Sequence, residues 1–270
     1  MGRLSMPSAQ DETDTELYAL PWMVGTVVSR TPETPTAATL VIDVPGWRGA
    51  LAGQHVDVRL TAEDGYSTQR SYSLASPGTM GLPGVPPDPA LHDSRIALTV
   101  QVVDDGEVSP YLTQDLQVGD QIELRGPVGH WFVWQPTDPH PVQLIAGGSG
   151  LVPLMSMLRT RRLARSVAPF RLVVSVRTPQ DALYADELEA LGTDVGITRV
   201  WTRRGPDGWT GRMGRIDVDL LRDVCFPPDE RAHVFVCGPT PFVEVAADLL
   251  VDLGHDPERI RTERFGPTGP

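Results

Sequence analysis

The sequence predicts two domains, an antiparallel β-barrel followed by a doubly wound α/β domain with a parallel sheet. Three observations carry this expectation. The chain has 270 residues, more than most single cores need. Its apolar pattern changes near residue 140, from short alternating runs to continuous apolar strands interleaved with helical stretches. Between the two lies QPTDPH, residues 135–140, a segment that reads as a linker. The expected division is an acidic lead-in over 1–16, a barrel over 17–136 and an α/β domain over 137–270.

The lead-in MGRLSMPSAQDETDTE has acidic and small polar side chains with no apolar core, so it is expected to be disordered rather than a targeting peptide. From Trp22 to about Val133, β-branched runs recur between turn residues: MVGTVVSR, ATLVIDVP, QHVDVRL, RSYSLAS, IALTVQVV and DQIELRG. Alternation at period two predicts barrel strands for them. Ser76 to Arg95 reads SPGTMGLPGVPPDPALHDSR, whose proline and glycine density predicts a long surface loop.

Beyond the linker, VQLIAG, RLVVSVR, GITRVWT and AHVFVCG read as apolar strands. LVPLMSMLRTRRLA, ALYADELEAL and PFVEVAADLLVDL read as helices. Such alternation predicts a parallel sheet covered on both faces. Ligands of such sheets bind beyond the carboxyl ends of the strands, which singles out the turns at Gly147–Gly150, Arg177, Thr202–Arg203 and Cys237–Pro239.

A net charge of -12 argues against general affinity for nucleic acid. The chain has no lysine, so every side-chain cation fixed at neutral pH is an arginine, suited to bidentate recognition of anions. Two cysteines, Cys225 and Cys237, are too few for a four-cysteine cluster or a disulfide framework. Redox chemistry would then need an organic cofactor. No apolar run approaches the ~20 residues of a membrane span, so a cytoplasmic protein without membrane insertion is expected. The six histidines, His55, His92, His130, His140, His233 and His255, fall at no metal-ligand spacing and are read as structural or surface residues, with no metal expected.

The turn in LIAGGSGLVPLMSML, residues 144–158, permits three readings. Its glycines let a phosphate approach the backbone ahead of a helix, with Pro153 suited to the first turn. Pro153 also breaks GxGxxG, and Leu151 breaks the GxSxG of a serine nucleophile. A simple strand-to-helix bend is the third reading.

Five segments in order bear on the choice: Arg70-Ser71-Tyr72-Ser73, Gly106-Glu107-Val108-Ser109, Gly126-Pro127-Val128-Gly129, Gly147-Gly148-Ser149-Gly150 with Pro153, and Cys237-Gly238-Pro239. In this order and spacing the chain resembles the ferredoxin-NADP reductase superfamily from about Trp22 to Phe265. The resemblance implies that Arg70 meets a flavin phosphate, Tyr72 packs on the isoalloxazine and Ser73 reaches its N5 nitrogen. Taken alone, RxYS would read as a surface ion pair and an ordinary strand tyrosine. Gly106, Val108 and Ser109 would supply the pyrophosphate turn, with Asp104 and Asp105 turned to solvent. A β-turn starting at Asp104 or Asp105 is the other reading of that stretch.

The resemblance likewise places the nicotinamide nucleotide on Gly148, Ser149 and Gly150, with Ser149 as a hydrogen-bonding residue. Arg177 is expected either to meet a phosphate or to bridge Asp181 or Asp186. Thr202 and Arg203 match a 2′-phosphate site, with Arg204 or Arg212 as its second partner, which favours NADPH over NADH. Cys237, with Gly238 and Pro239, would stand beside the hydride-bearing carbon, whereas Cys225 reads as a core residue. Glu263-Arg264-Phe265-Gly266 resembles the ending of reductases related to phthalate dioxygenase reductase, with Phe265 shielding the flavin and Glu263 near its ring; a loosely ordered tail is the other reading.

These implications make a flavin-dependent NAD(P)H oxidoreductase, with FAD favoured over FMN, in which Ser73, Cys237 and Glu263 position donor and acceptor. Electrons would pass to a separate acceptor protein: a ferredoxin, flavodoxin, haem or molybdenum protein. Two other classes remain open at this level. One is a nucleotide-binding electron-transfer or regulatory subunit that needs a partner for turnover. The other is a serine hydrolase using Ser149 with His233 or His255.

Overall fold

The computed structural model describes residues 20–80, 94–103 and 106–266. The expected lead-in, most of the 76–95 loop with His92, Asp104 and Asp105, and the tail beyond Gly266 lie outside the described residues.

Six strands build the first domain: β1 (Met23–Thr34), β2 (Ala37–Asp43), β3 (His55–Thr61), β4 (Ser67–Ser73), β5 (Arg95–Gln101) and β6 (Gln121–Val128). They pair antiparallel in the order β4-β3-β6-β1-β2-β5. A bridge between Leu74 and Leu98 joins the two edges, so the sheet closes on itself. Alternation does the sorting: in β6, Ile122, Leu124, Gly126 and Val128 are buried while the residues between them are not. The interior is filled by Leu40, Ile42, Val56, Val58, Ile96, Leu98 and Leu124, all almost fully buried. Each such side chain contributes about 1.5–3 kcal/mol. Between β5 and β6 lies one short turn of helix, α1 (Val108–Pro110), which runs into a π-helical turn over Tyr111–Asp115.

The second sheet has five parallel strands in the order β11-β10-β7-β8-β9. These are β7 (Val142–Gly147), β8 (Phe170–Val176), β9 (Gly196–Trp201), β10 (His233–Pro239) and β11 (Ile260–Phe265). The helices are α2 (Leu151–Leu163), α3 (Ala185–Ala190), α4 (Val218–Val224) and α5 (Thr240–Asp252). Every residue of β7 is buried. Leu144 and Ala146 join an apolar cluster with α2, while Ile145 joins another with α4 and α5. Helices therefore cover both faces of the sheet, as a doubly wound domain requires.

The first of those clusters also takes in Ala52, Ala75, Ala97, Phe132 and Trp134, so it runs across the domain boundary. Polar bonds reinforce it. Arg159 donates to the Ala75 carbonyl at 2.7 Å, Ser156 to the Ser76 carbonyl at 2.6 Å, and the Gly78 amide to Thr160 at 2.7 Å. Tyr184 donates to Thr99 on β5.

Three elements depart from the sequence expectation. The helix read over ALYADELEAL is confined to Ala185–Ala190, because Tyr184 is held left-handed (φ 53°) while its buried ring reaches the barrel. Helix α4 was not expected; Asp217 caps it by accepting the Leu220 amide at 2.8 Å. The segment Ile260–Phe265, which no sequence pattern marked as a strand, pairs with β10 through Phe265.

Candidate active site

The turn after β7 has the conformation its glycines allow. Gly148 adopts φ 55°, and Gly148–Gly150 form a single 3-10 turn before α2 begins. Gly150 has no room for a side chain, since a Cβ there would stand 2.1 Å from the Cys237 carbonyl oxygen. The ends of β7 and β10 are thereby pressed together. Ser149 sits half-buried in this turn. The hydrolase reading fails here. His233 lies at the amino end of β10, bonded to Asp138, and His255 is buried in the turn after α5.

Several expected residues converge at the carboxyl ends of β10 and β11. Cys237 pairs with Glu263, and Pro239 with Phe265. Ser73, the last residue of β4, reaches from the barrel and donates to Glu263 Oε1 at 3.4 Å. That is a long bond, which leaves both groups capacity for another partner. The second oxygen, Oε2, is buried with no hydrogen-bond partner among the described residues. Burial pushes the Glu263 carboxyl up to about 7, against a smaller opposite pull from Ser73. The Cys237 thiol is held well above its ordinary value by burial and by the Glu263 charge, so it is a neutral contact surface rather than a nucleophile. Cys225 is buried in the α4–α5 cluster, as expected of a core residue.

On β4, Arg70 is exposed and forms no ion pair among the described residues; its guanidinium reaches only the Gln69 carbonyl and Thr68. Tyr72 leans half-buried on the barrel core, and burial raises its phenol above the usual range. Near α1, Gly106 closes a turn on Val103 at 3.0 Å, and Ser109 accepts the Val103 amide at 3.0 Å. Val108 and Ser109 are buried, so their side chains are turned away from any ligand, while Glu107 is exposed and accepts from Tyr66.

The arginines divide into two groups. Arg177 bridges Asp181 at 2.8 Å, the alternative the sequence left open, and Arg212 pairs with Asp217. The Thr202 amide donates to Val176 at 2.8 Å, while the amides of Arg203 and Arg204 share the Arg177 carbonyl. This sets three arginines at the carboxyl ends of β8 and β9. Arg203 is exposed and in no ion pair among the described residues.

One grouping was not expected. Asp138, His140 and His233 stand together, although no spacing in the sequence announces it. His140 and His233, read from the sequence as structural or surface residues, both pair with Asp138.

A buried carboxylate oxygen without a partner, an exposed arginine without an acid and a glycine cradle closed to side chains together fit a bound flavin and a pyridine nucleotide. Comparison with known proteins agrees. The oxidoreductase FAD-binding domain family matches residues 26–133, and the oxidoreductase NAD-binding domain family matches residues 144–248. The glycine betaine monooxygenase reductase subunit of Chromohalobacter salexigens is 32% identical over 80% of this chain and 56% of its own length. The NADH oxidoreductase HCR of Escherichia coli is 33% identical over 83% of this chain and 62% of its own. The chain thus spans little more than half the length of these relatives. The FAD/NAD-binding domain of nitric oxide dioxygenase from Vibrio cholerae superposes with a TM-score of 0.76 at 21% identity, covering 91% of this chain and 99% of that one.

Proposed function

Because the chain belongs to the ferredoxin-NADP reductase superfamily, with an FAD-binding domain preceding an NAD-binding domain, we propose that it is the reductase of an electron-transfer system. When bound, FAD supplies the chemistry: it accepts a hydride from a reduced pyridine nucleotide and releases electrons singly. The division at residues 17–136 and 137–270 assigns the flavin to the barrel and the nucleotide to the sheet.

The observation that carries the reading is the meeting of Ser73 with Glu263 beside Cys237, from three strands of two domains. Arg70 holds a flavin phosphate, Tyr72 flanks the ring system, and the backbone of Gly106, Val108 and Ser109 faces the pyrophosphate. Ser73 and Glu263 fix the flavin edge by hydrogen bonds, and Phe265 covers its face. Gly148, Ser149, Gly150, Gly238 and Pro239 hold the nucleotide across the strand ends, with Cys237 against the nicotinamide. These residues set distance and orientation and exclude water; none needs to be a strong acid or base. At neutral pH the Glu263 carboxyl stands near its midpoint and is able to hold a proton beside Ser73.

Thr202, Arg203 and Arg204 favour NADPH over NADH, since Arg203 is a cation at a strand end that is in no ion pair among the described residues. Arg177 and Arg212 contribute only by exchanging a carboxylate partner for a phosphate. The acceptor is a separate protein of the oxygenase or haem type, as the relative described as a monooxygenase reductase subunit suggests.

Anaerobic titration of the purified protein with NADPH and then NADH, followed by visible absorbance, tests the reading. Bleaching of a flavin spectrum is the expected result. A protein that is colourless and takes up neither FAD nor FMN overturns it.

A further inference from the structure

We propose that Asp138, His140 and His233 form a site for a divalent transition-metal ion of borderline softness, Zn2+ in the first instance. The site lies at the amino end of the second sheet, opposite the strand ends that carry the proposed nucleotide site, and does not depend on that reading. Each residue offers one ligand atom, and the three atoms lie within 4.8 Å of one another. Asp138 accepts from His140 Nδ1 at 2.7 Å through one oxygen and from His233 Nε2 at 2.8 Å through the other. This is the arrangement of a metal-free site, in which a cation would replace the two N–H protons. Around a tetrahedral ion with bonds of about 2.0–2.1 Å the ligand atoms stand about 3.3 Å apart, so the short carboxylate contacts open and the wider separations, all within 4.8 Å, close onto it.

The local chain is stiff enough to hold such a site. Pro139 separates Asp138 from His140 and Pro141 follows, so backbone freedom is restricted on both sides of the second ligand. The His140 amide donates to Asp138 Oδ1 at 3.0 Å, and the His233 amide donates to the Pro141 carbonyl at 2.8 Å. His233 is the first residue of β10, and the two imidazole rings stand 5.3 Å apart, nearly perpendicular.

Three protein ligands with an open side is the pattern of a zinc site that retains water. The open side here is a cleft of about 480 Å³ that His130, Trp131 and Arg261 also line. Two features limit the affinity. Arg261 adds positive charge, though its Nη1 is committed to the Val133 carbonyl at 2.6 Å. His233 Nδ1 is buried without a partner among the described residues, so the proton it takes when Nε2 is ligated finds no acceptor. A micromolar site is therefore expected. Its ligands come from the connecting segment and from β10, so the ion would pin the interdomain connection to the sheet.

Equilibrium dialysis of the purified, chelator-stripped protein against Zn2+ alone, with metal quantified by mass spectrometry, tests this. One equivalent per chain is expected, with affinity lowered about tenfold or more in both H140A and the near-isosteric D138N. Both replace partly exposed side chains, and an unchanged far-ultraviolet spectrum verifies folding. Absence of stoichiometric uptake, or uptake undiminished in either folded variant, overturns the proposal.

Discussion

Ser73 of the barrel and Glu263 of the last strand stand 190 positions apart in sequence and meet at 3.4 Å across the domain boundary. The Glu263 carboxyl has one buried oxygen without a partner among the described residues, and burial pushes it from its ordinary 4.5 up to about 7. The folded chain therefore holds a proton between about pH 4.5 and 7 that the unfolded chain has released, and stability falls as pH rises through that window. Glu263→Gln removes the effect. In the flavin-free protein the variant should exceed the parent in stability by about 1–3 kcal/mol at pH 8, with the gap closing toward pH 4.5. Urea melts at pH 5 and pH 8 measure it, and a pH-independent difference would contradict the assigned titration.

Gly150→Ala should be costly without any change of backbone region. A Cβ there meets the Cys237 carbonyl oxygen at 2.1 Å and has only backbone around it, so the strand ends must separate. A loss of about 3 kcal/mol is expected. Gly148→Ala meets no atom within 4 Å but must keep φ 55°, which costs about 1 kcal/mol. Thermal melts that rank the two the other way would place the strain elsewhere.

Arg70→Ala separates binding from folding. The side chain supports no ion pair among the described residues, so the stability of the flavin-free protein should change by less than about 0.5 kcal/mol. Loss of a charge-assisted phosphate contact should weaken FAD binding roughly 10–100-fold. Fluorescence titration of the apoprotein measures this, and unchanged affinity would remove Arg70 from the flavin site.

Arg203→Ala should raise the KM for NADPH about tenfold and leave that for NADH within about twofold. Arg177→Ala should have a smaller effect on NADPH, because Arg177 is already neutralised by Asp181. Equal losses for both nucleotides in Arg203→Ala would show that it does not discriminate at the 2′ position.

Most strands were legible because their side chains alternate or run continuously apolar, and each pattern has one stable burial. Tyr184 shows why one helix was overdrawn: its left-handed backbone serves a contact with Thr99 in the other domain, which no local window contains. Helix α4 follows an arginine- and glycine-rich stretch, and at seven residues it offers few local signs beyond the Asp217 cap. Strand β11 carries four consecutive polar residues, Arg261 to Arg264, and its place on the sheet edge demands no apolar run. At the site, Ser73, Cys237 and Glu263 were named from motifs, but their meeting depends on how two sheets dock. The His140–His233 grouping was invisible because it depends on β10 pairing beside β7, a long-range register that no local window contains.

The bonds from Ser156, Arg159 and Thr160 all fall on Ala75, Ser76 and Gly78, directly after Ser73. The strand end that presents Ser73 is thus held in place by the neighbouring domain. Thermodynamic reciprocity then makes each domain an effector of the other's ligand. Whatever tightens the docking must strengthen cofactor retention, and a bound cofactor must tighten the docking by the same factor. Retention of the prosthetic group is, in this sense, a property of the interface as much as of the barrel.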